Sequence, residues 1–173
     1  MCPRGRHFSV LTMISALFVA PAAHADSVTI LATGTIPSGC TVGKTSDFAP
    51  ANLTASGSVT AGALVDCNMP FLIRSTSANG AIKTAGAASA GFANSVAYTY
   101  ALSVGVQGNG GPATAACTSA QMLANNCILS SGSKTANNKA GTLTVSWTPP
   151  ALPTKLVAGT YSDTITLSIG PAP

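Results

Sequence analysis

Residues 95–104 read Ser-Val-Ala-Tyr-Thr-Tyr-Ala-Leu-Ser-Val. Val96, Tyr98, Tyr100, Leu102 and Val104 share one side, and Ala97, Thr99, Ala101 and Ser103 share the other. A period of two with small polar residues on the second face is the mark of a half-buried β-strand. The same period recurs along the chain. Leu143, Val145 and Trp147 alternate with Thr142, Thr144 and Ser146, and Tyr161, Ile165, Leu167 and Ile169 alternate with Ser162, Thr164, Thr166 and Ser168. Upstream, Phe71-Leu72-Ile73 follows Pro70, Ala63-Leu64-Val65 leads into Cys67, and Val28, Ile30, Ala32 and Ile36 keep one phase. Gly-, Asn- and Pro-rich stretches at 105–112 and 130–141 read as turns. No window has the period of an amphipathic helix. Short antiparallel strands at this spacing predict an all-β sandwich or barrel.

Composition narrows the function. Of 173 residues only 7% are charged, all four acids are aspartate, and both histidines, His7 and His24, lie near the start. The net charge of +4 falls to +2 once Arg4 and Arg6 are set aside, which leaves no electrostatic footprint for nucleic acid. Those arginines, the apolar run from 10 to 20, Pro21 and Ala23-His24-Ala25 form a signal peptide, expected to be cleaved after Ala25. The remaining chain then has neither His nor Glu. That removes Ser-His-Asp and Cys-His catalysis and most zinc and iron sites, so no enzyme, cofactor, metal or small-molecule substrate is expected.

Four cysteines remain, Cys40, Cys67, Cys117 and Cys127, an even count that reads as two disulfides in an exported chain. Of the three connectivities, pairing of sequence neighbours is the simplest. Closing ~27 residues would stabilise by roughly 3.5 kcal/mol and closing ~10 by roughly 2.7 kcal/mol. Other motifs are weak. Gly43-Lys44-Thr45 lacks the first glycine of a phosphate loop, Ser131-Gly132-Ser133-Lys134 lacks its companion motifs, and the glycines of 105–111 include no basic residue. Trp147 is expected in the core.

Two stretches carry a resemblance. The first is Gly39-Cys40-Thr41-Val42-Gly43 with Asp47-Phe48 following. The second is Ala158-Gly159-Thr160-Tyr161-Ser162-Asp163-Thr164-Ile165-Thr166-Leu167. Together with Val65-Asp66-Cys67 and Val96-Ala97-Tyr98, they resemble the spore coat protein U domain family, which includes the archaic chaperone–usher pilus subunits. The chain departs from that pattern at Phe48-Ala49, at Ile169-Gly170-Pro171-Ala172-Pro173, and in having the extra pair Cys117 and Cys127.

The resemblance implies an incomplete immunoglobulin-like β-sandwich that lacks its last strand and is completed by donor-strand exchange, a form of strand addition. On that basis residues 1–25 are the signal, 26–38 a donor-strand extension and 39–173 the sandwich domain. Val28, Ile30, Ala32 and Ile36 would insert into a neighbour. Tyr161, Ile165, Leu167 and Ile169 would line the acceptor groove. Ten residues of the extension span about 33 Å, enough to cross a sandwich. The expected partners are a periplasmic chaperone, an outer-membrane usher and neighbouring copies or related subunits, on a surface fimbrium that serves adhesion and biofilm. The alternative is a self-complemented secreted spore-coat or adhesin-type binding module, with residues 26–36 pairing in cis.

Overall fold

A computed structural model describes residues 33–173. Val28, Ile30, Ala32 and the signal segment lie outside the described residues. In chain order the elements are β1 (Cys40–Lys44), β2 (Gly57–Cys67), β3 (Phe71–Ser77), β4 (Ile82–Lys83), β5 (Phe92–Ala93), β6 (Ser95–Val96), β7 (Tyr98–Val104), β8 (Ala113–Thr118), α1 (Ser119–Leu123), β9 (Cys127–Ser130), β10 (Ala136–Trp147), β11 (Lys155–Leu156) and β12 (Ile165–Pro171). Five strands form one antiparallel sheet in the order β1-β2-β10-β7-β8, and three form a second in the order β12-β3-β9. Two short pairings, β4 with β6 and β5 with β11, flank them.

The alternation read from the sequence decides which faces meet. Val96, Tyr98, Tyr100, Leu102 and Val104 are all buried, while Ala97, Thr99 and Ala101 are exposed. Leu143, Val145 and Trp147 continue that buried face on β10, in register with Leu102, Tyr100 and Tyr98. Phe71, Ile73 and Leu129 of the second sheet pack into the same cluster. The two sheets therefore share one core in a sandwich-like arrangement. Trp147 belongs to it, and its indole N–H donates to the Ala55 carbonyl at 2.9 Å.

Both disulfides join sequence neighbours, Cys40–Cys67 and Cys117–Cys127. The first lies within a sheet, where Cys40 of β1 is the register partner of Cys67 on β2. The second joins β8 of one sheet to β9 of the other, with Cα atoms 5.8 Å apart.

Four local expectations are corrected. The run 95–104 is broken at Ala97: Val96 pairs with Ile82, and the ladder to β10 begins at Tyr98. The expected turn at 130–141 is strand from Ala136 onward, with a bulge that Asn138 absorbs at φ 51°. The C-terminal strand starts at Ile165 instead of Tyr161. Finally, α1 is a short helix where none is expected. Thr118 Oγ1 accepts from Gln121 N–H at 3.2 Å, and Gln121 Oε1 accepts from Thr118 N–H at 2.8 Å, a reciprocal cap.

Candidate functional site

The two sides of the sandwich are built differently. On one side the edges β8 and β9 are drawn together by Cys117–Cys127, and the connection between them is α1. Cys127 and Met122 are fully buried there. The Arg74 guanidinium donates to the Asn125 carbonyl, fastening the end of α1 to β3. This side is closed by a covalent bond, a capped turn and a buried methionine.

On the other side the edges are β1 and β12. Their Cα traces come within 8 Å, yet among the described residues β1 pairs only with β2 and β12 only with β3. Beneath them is a hollow of about 370 Å³, walled by Val42 and Phe48 on one flank and Ile165 and Leu167 on the other. Its floor is Ala61, Ala63 and Leu143. The two alanines matter: a methyl group where a core strand would place a Val or Ile leaves space unfilled. A second hollow of about 220 Å³ adjoins it toward Trp147, bordered by Tyr161, Tyr98 and Leu53. Phe48, Asp163 and Ile165 line both, so the two form one groove with a waist.

Burial reports the same asymmetry. Ile165, Leu167 and Ile169 point inward in correct alternation but are only half-buried, as are Val42 and Val59. The inward residues of β7, between covered neighbours, are all buried. Residues 57–61 of β2 also pair with β10 on one edge only. The groove thus combines apolar hollows at side-chain spacing with unpaired strand edges.

Local chemistry keeps it open. After Lys44 the chain leaves the sheet across Gly62, whose carbonyl accepts from Thr45 N–H at 2.9 Å and whose N–H donates to Ser46 Oγ at 2.7 Å. A Cβ at Gly62 would run into the Thr45 hydroxyl, so a side chain there would force Thr45 to move. Phe48 is thereby turned into the groove. The Lys44–Asp47 ion pair at the rim, 2.8 Å long and well exposed, adds at most about 1 kcal/mol.

Asp163 forms the waist. Its Oδ2 accepts from Ser77 Oγ at 2.6 Å and from Tyr98 Oη at 2.7 Å. Its Oδ1 accepts from Thr164 N–H at 2.8 Å and Asn79 N–H at 3.1 Å. Burial raises the Tyr98 phenol well above its ordinary range; the Ser77 hydroxyl opposes this and the Asp163 carboxylate adds to it. Burial also pushes Tyr100 up to about 12, partly offset by its 3.0 Å hydrogen bond with Ser75. Tyr161 donates to the carbonyls of Val157 at 2.9 Å and Ala93 at 3.2 Å, which carries the chain into β12.

The structure gathers Tyr161, Ile165 and Leu167 along the groove, whereas Ile169 lies beyond both hollows, opposite Ile73. Ile36 is 87% exposed, at the point where Asn68 holds the carbonyl of Pro37 at 2.9 Å and the N–H of Gly39 at 3.0 Å. Sequence reasoning missed Asp163 and the alanine floor. A lone acid within an apolar phase was the available signal for the first. Among the described residues no cluster of His, Cys, Asp or Glu is placed to hold a metal ion. Compared with known proteins, the chain matches no protein-family model and no curated protein.

Proposed function

We propose that this chain is a structural subunit of a secreted surface fibre, assembled through a periplasmic chaperone and an outer-membrane usher. In this reading the domain is an incomplete immunoglobulin-like sandwich. The chaperone first lends a strand to the groove, and residues 26–38 of the next subunit then replace it. The observation that carries the reading is the one-sided opening: one pair of sheet edges is stapled shut, while the other leaves inward-facing aliphatics half-buried over an empty floor. Exposed apolar surface beside unpaired strand edges is a liability that proteins normally cover. A donated strand covers both at once. Burying Val28, Ile30 and Ile36 there would contribute about 5–9 kcal/mol, at ~1.5–3 kcal/mol each.

Denaturing gels of the exported, non-reduced protein test the reading. Fibre subunits held by inserted strands run as ladders in unheated samples and collapse to one band on boiling. A monodisperse monomer, stable without any partner, would instead identify a self-complemented coat or binding module.

A further inference from the structure

The dipeptide Asn-Gly stands at two places among the described residues, Asn79-Gly80 and Asn109-Gly110. In such a pair the glycine's own amide nitrogen can attack the asparagine side chain, because no Cβ blocks the approach. The fold treats the two pairs differently.

Asn79-Gly80 is pinned. The Asn79 N–H donates to Asp163 Oδ1 at 3.1 Å, and the Gly80 N–H donates to Ser77 Oγ at 2.7 Å. Ser77 is itself buried and donates to Asp163 Oδ2. The Gly80 nitrogen is held in a hydrogen bond, and the turn has to open before that nitrogen can reach Asn79 Cγ.

Asn109-Gly110 lies in the connection from β7 to β8. This loop is tied at its base, where Gly105 N–H donates to the Ala140 carbonyl at 3.0 Å and Gln107 N–H to the Thr135 carbonyl at 2.8 Å. Among the described residues no backbone hydrogen bond reaches 108–111, and all of that stretch is exposed. Gly110 holds φ at 115°, a conformation that side chains resist. A Cβ added there would stand 3.0 Å from Lys134 Nζ, so an ammonium flanks the amide that must lose its proton. A neighbouring cation favours the anionic form of such a group. Lys139 packs against Gly105 and adds a second positive charge at the base of the loop.

We propose that Asn109-Gly110 is a self-modifying site, at which the folded chain converts Asn109 to aspartate and isoaspartate with water as the reagent and Lys134 as the promoter. The Gly110 nitrogen gives its proton to solvent base and attacks Asn109 Cγ. The Nδ2 group takes up a proton and leaves as ammonia, closing a five-membered imide. Water then opens the imide at either carbonyl. One opening gives aspartate, and the other gives isoaspartate, with the chain routed through Cγ. Amide and water become carboxylic acid and ammonia, and nothing is oxidised or reduced. Nucleophile and electrophile are neighbours in one chain, so no enzyme has to bring them together. Each event sets a carboxylate beside Lys134. The reaction needs no partner and does not depend on assembly into a fibre.

The test holds the exported chain folded near neutral pH for weeks, with a parallel sample in urea, and maps both asparagines by peptide mass spectrometry. In urea the two should convert at rates within about threefold of each other, because the dipeptide is the same and the fold is gone. In the folded chain Asn109 should convert at least about tenfold faster than Asn79. Lys134→Gln should slow folded Asn109 by about threefold or more and leave its rate in urea unaltered. Equal folded rates at the two asparagines would overturn the site. So would an intact Asn109 in the folded chain while the urea sample converts. An unchanged folded rate in Lys134→Gln would overturn the role given to the ammonium.

Discussion

At the scale of single residues, the core carries more polar chemistry than its composition advertises. Tyr98 and Tyr100 follow one another on the inward face of β7, and each aims its hydroxyl across the core, toward Asp163 and Ser75 respectively. Tyr100 and Ser75 are both essentially inaccessible to solvent, so their hydrogen bond is what makes either tolerable there. The raised phenols have a consequence at alkaline pH. Unfolded tyrosine ionises near its ordinary value of 10.0, whereas folded Tyr100 keeps its proton to about 12. The unfolded chain therefore loses its proton first, and stability falls as pH rises through that window. Tyr100→Phe should cost about 1 kcal/mol at neutral pH, through the orphaned Ser75 hydroxyl. It should also flatten the alkaline decline without abolishing it, since Tyr98 remains. Urea midpoints between about pH 9 and about pH 11 measure both effects. Parallel declines in the two proteins would show that Tyr100 does not hold its proton as its burial requires.

Among the elements, the staple between β8 and β9 makes the clearest claim. Replacing Cys117 and Cys127 with serine should lower stability by roughly 2.7 kcal/mol, the loop-entropy value for a ~10-residue ring. Replacing Cys40 and Cys67 should cost roughly 3.5 kcal/mol for a ~27-residue ring. Denaturant titrations of both double variants, without reductant, give the comparison. Loss of the first pair should also raise dye binding to exposed apolar surface, because it releases the only covalent tie between the sheets among the described residues. The same elements mark where the sequence was legible. β7 and residues 142–147 of β10 could be read because large inward residues alternate with small outward ones. β8 reads Ala-Thr-Ala-Ala-Cys-Thr, with too little contrast between its faces for any period to show. β9 has four residues, and α1 is under two turns, with only the Thr118–Gln121 cap as a signal. The apolar phase of 161–169 located one wall of the groove. Its other wall and floor come from β1, β2 and β10, whose meeting with β12 is a matter of topology that no single strand's period encodes.

For the molecule as a whole, the reading is of a domain with a strand to give and a groove to receive one. Position and phase within the extension separate that reading from the cis alternative. Ile30 lies in the apolar phase and Thr29 in the opposite one. If the extension acts in trans, Ile30→Asp leaves its own domain untouched. The variant should match the parent in denaturation midpoint and in yield of chaperone complex, yet end each fibre it joins, because an unpaired carboxylate buried in the next groove costs several kcal/mol. Thr29→Asp, one residue away, faces outward in an inserted strand, so polymers should stay near parental length. If residues 26–36 instead pair within their own chain, Ile30→Asp loosens the single domain, and chaperone binding falls with it. Chaperone complex yield and polymer length, measured side by side for the two variants, decide the matter. Equal effects at positions 29 and 30, or lost chaperone binding with Ile30→Asp, would end the donor-strand assignment.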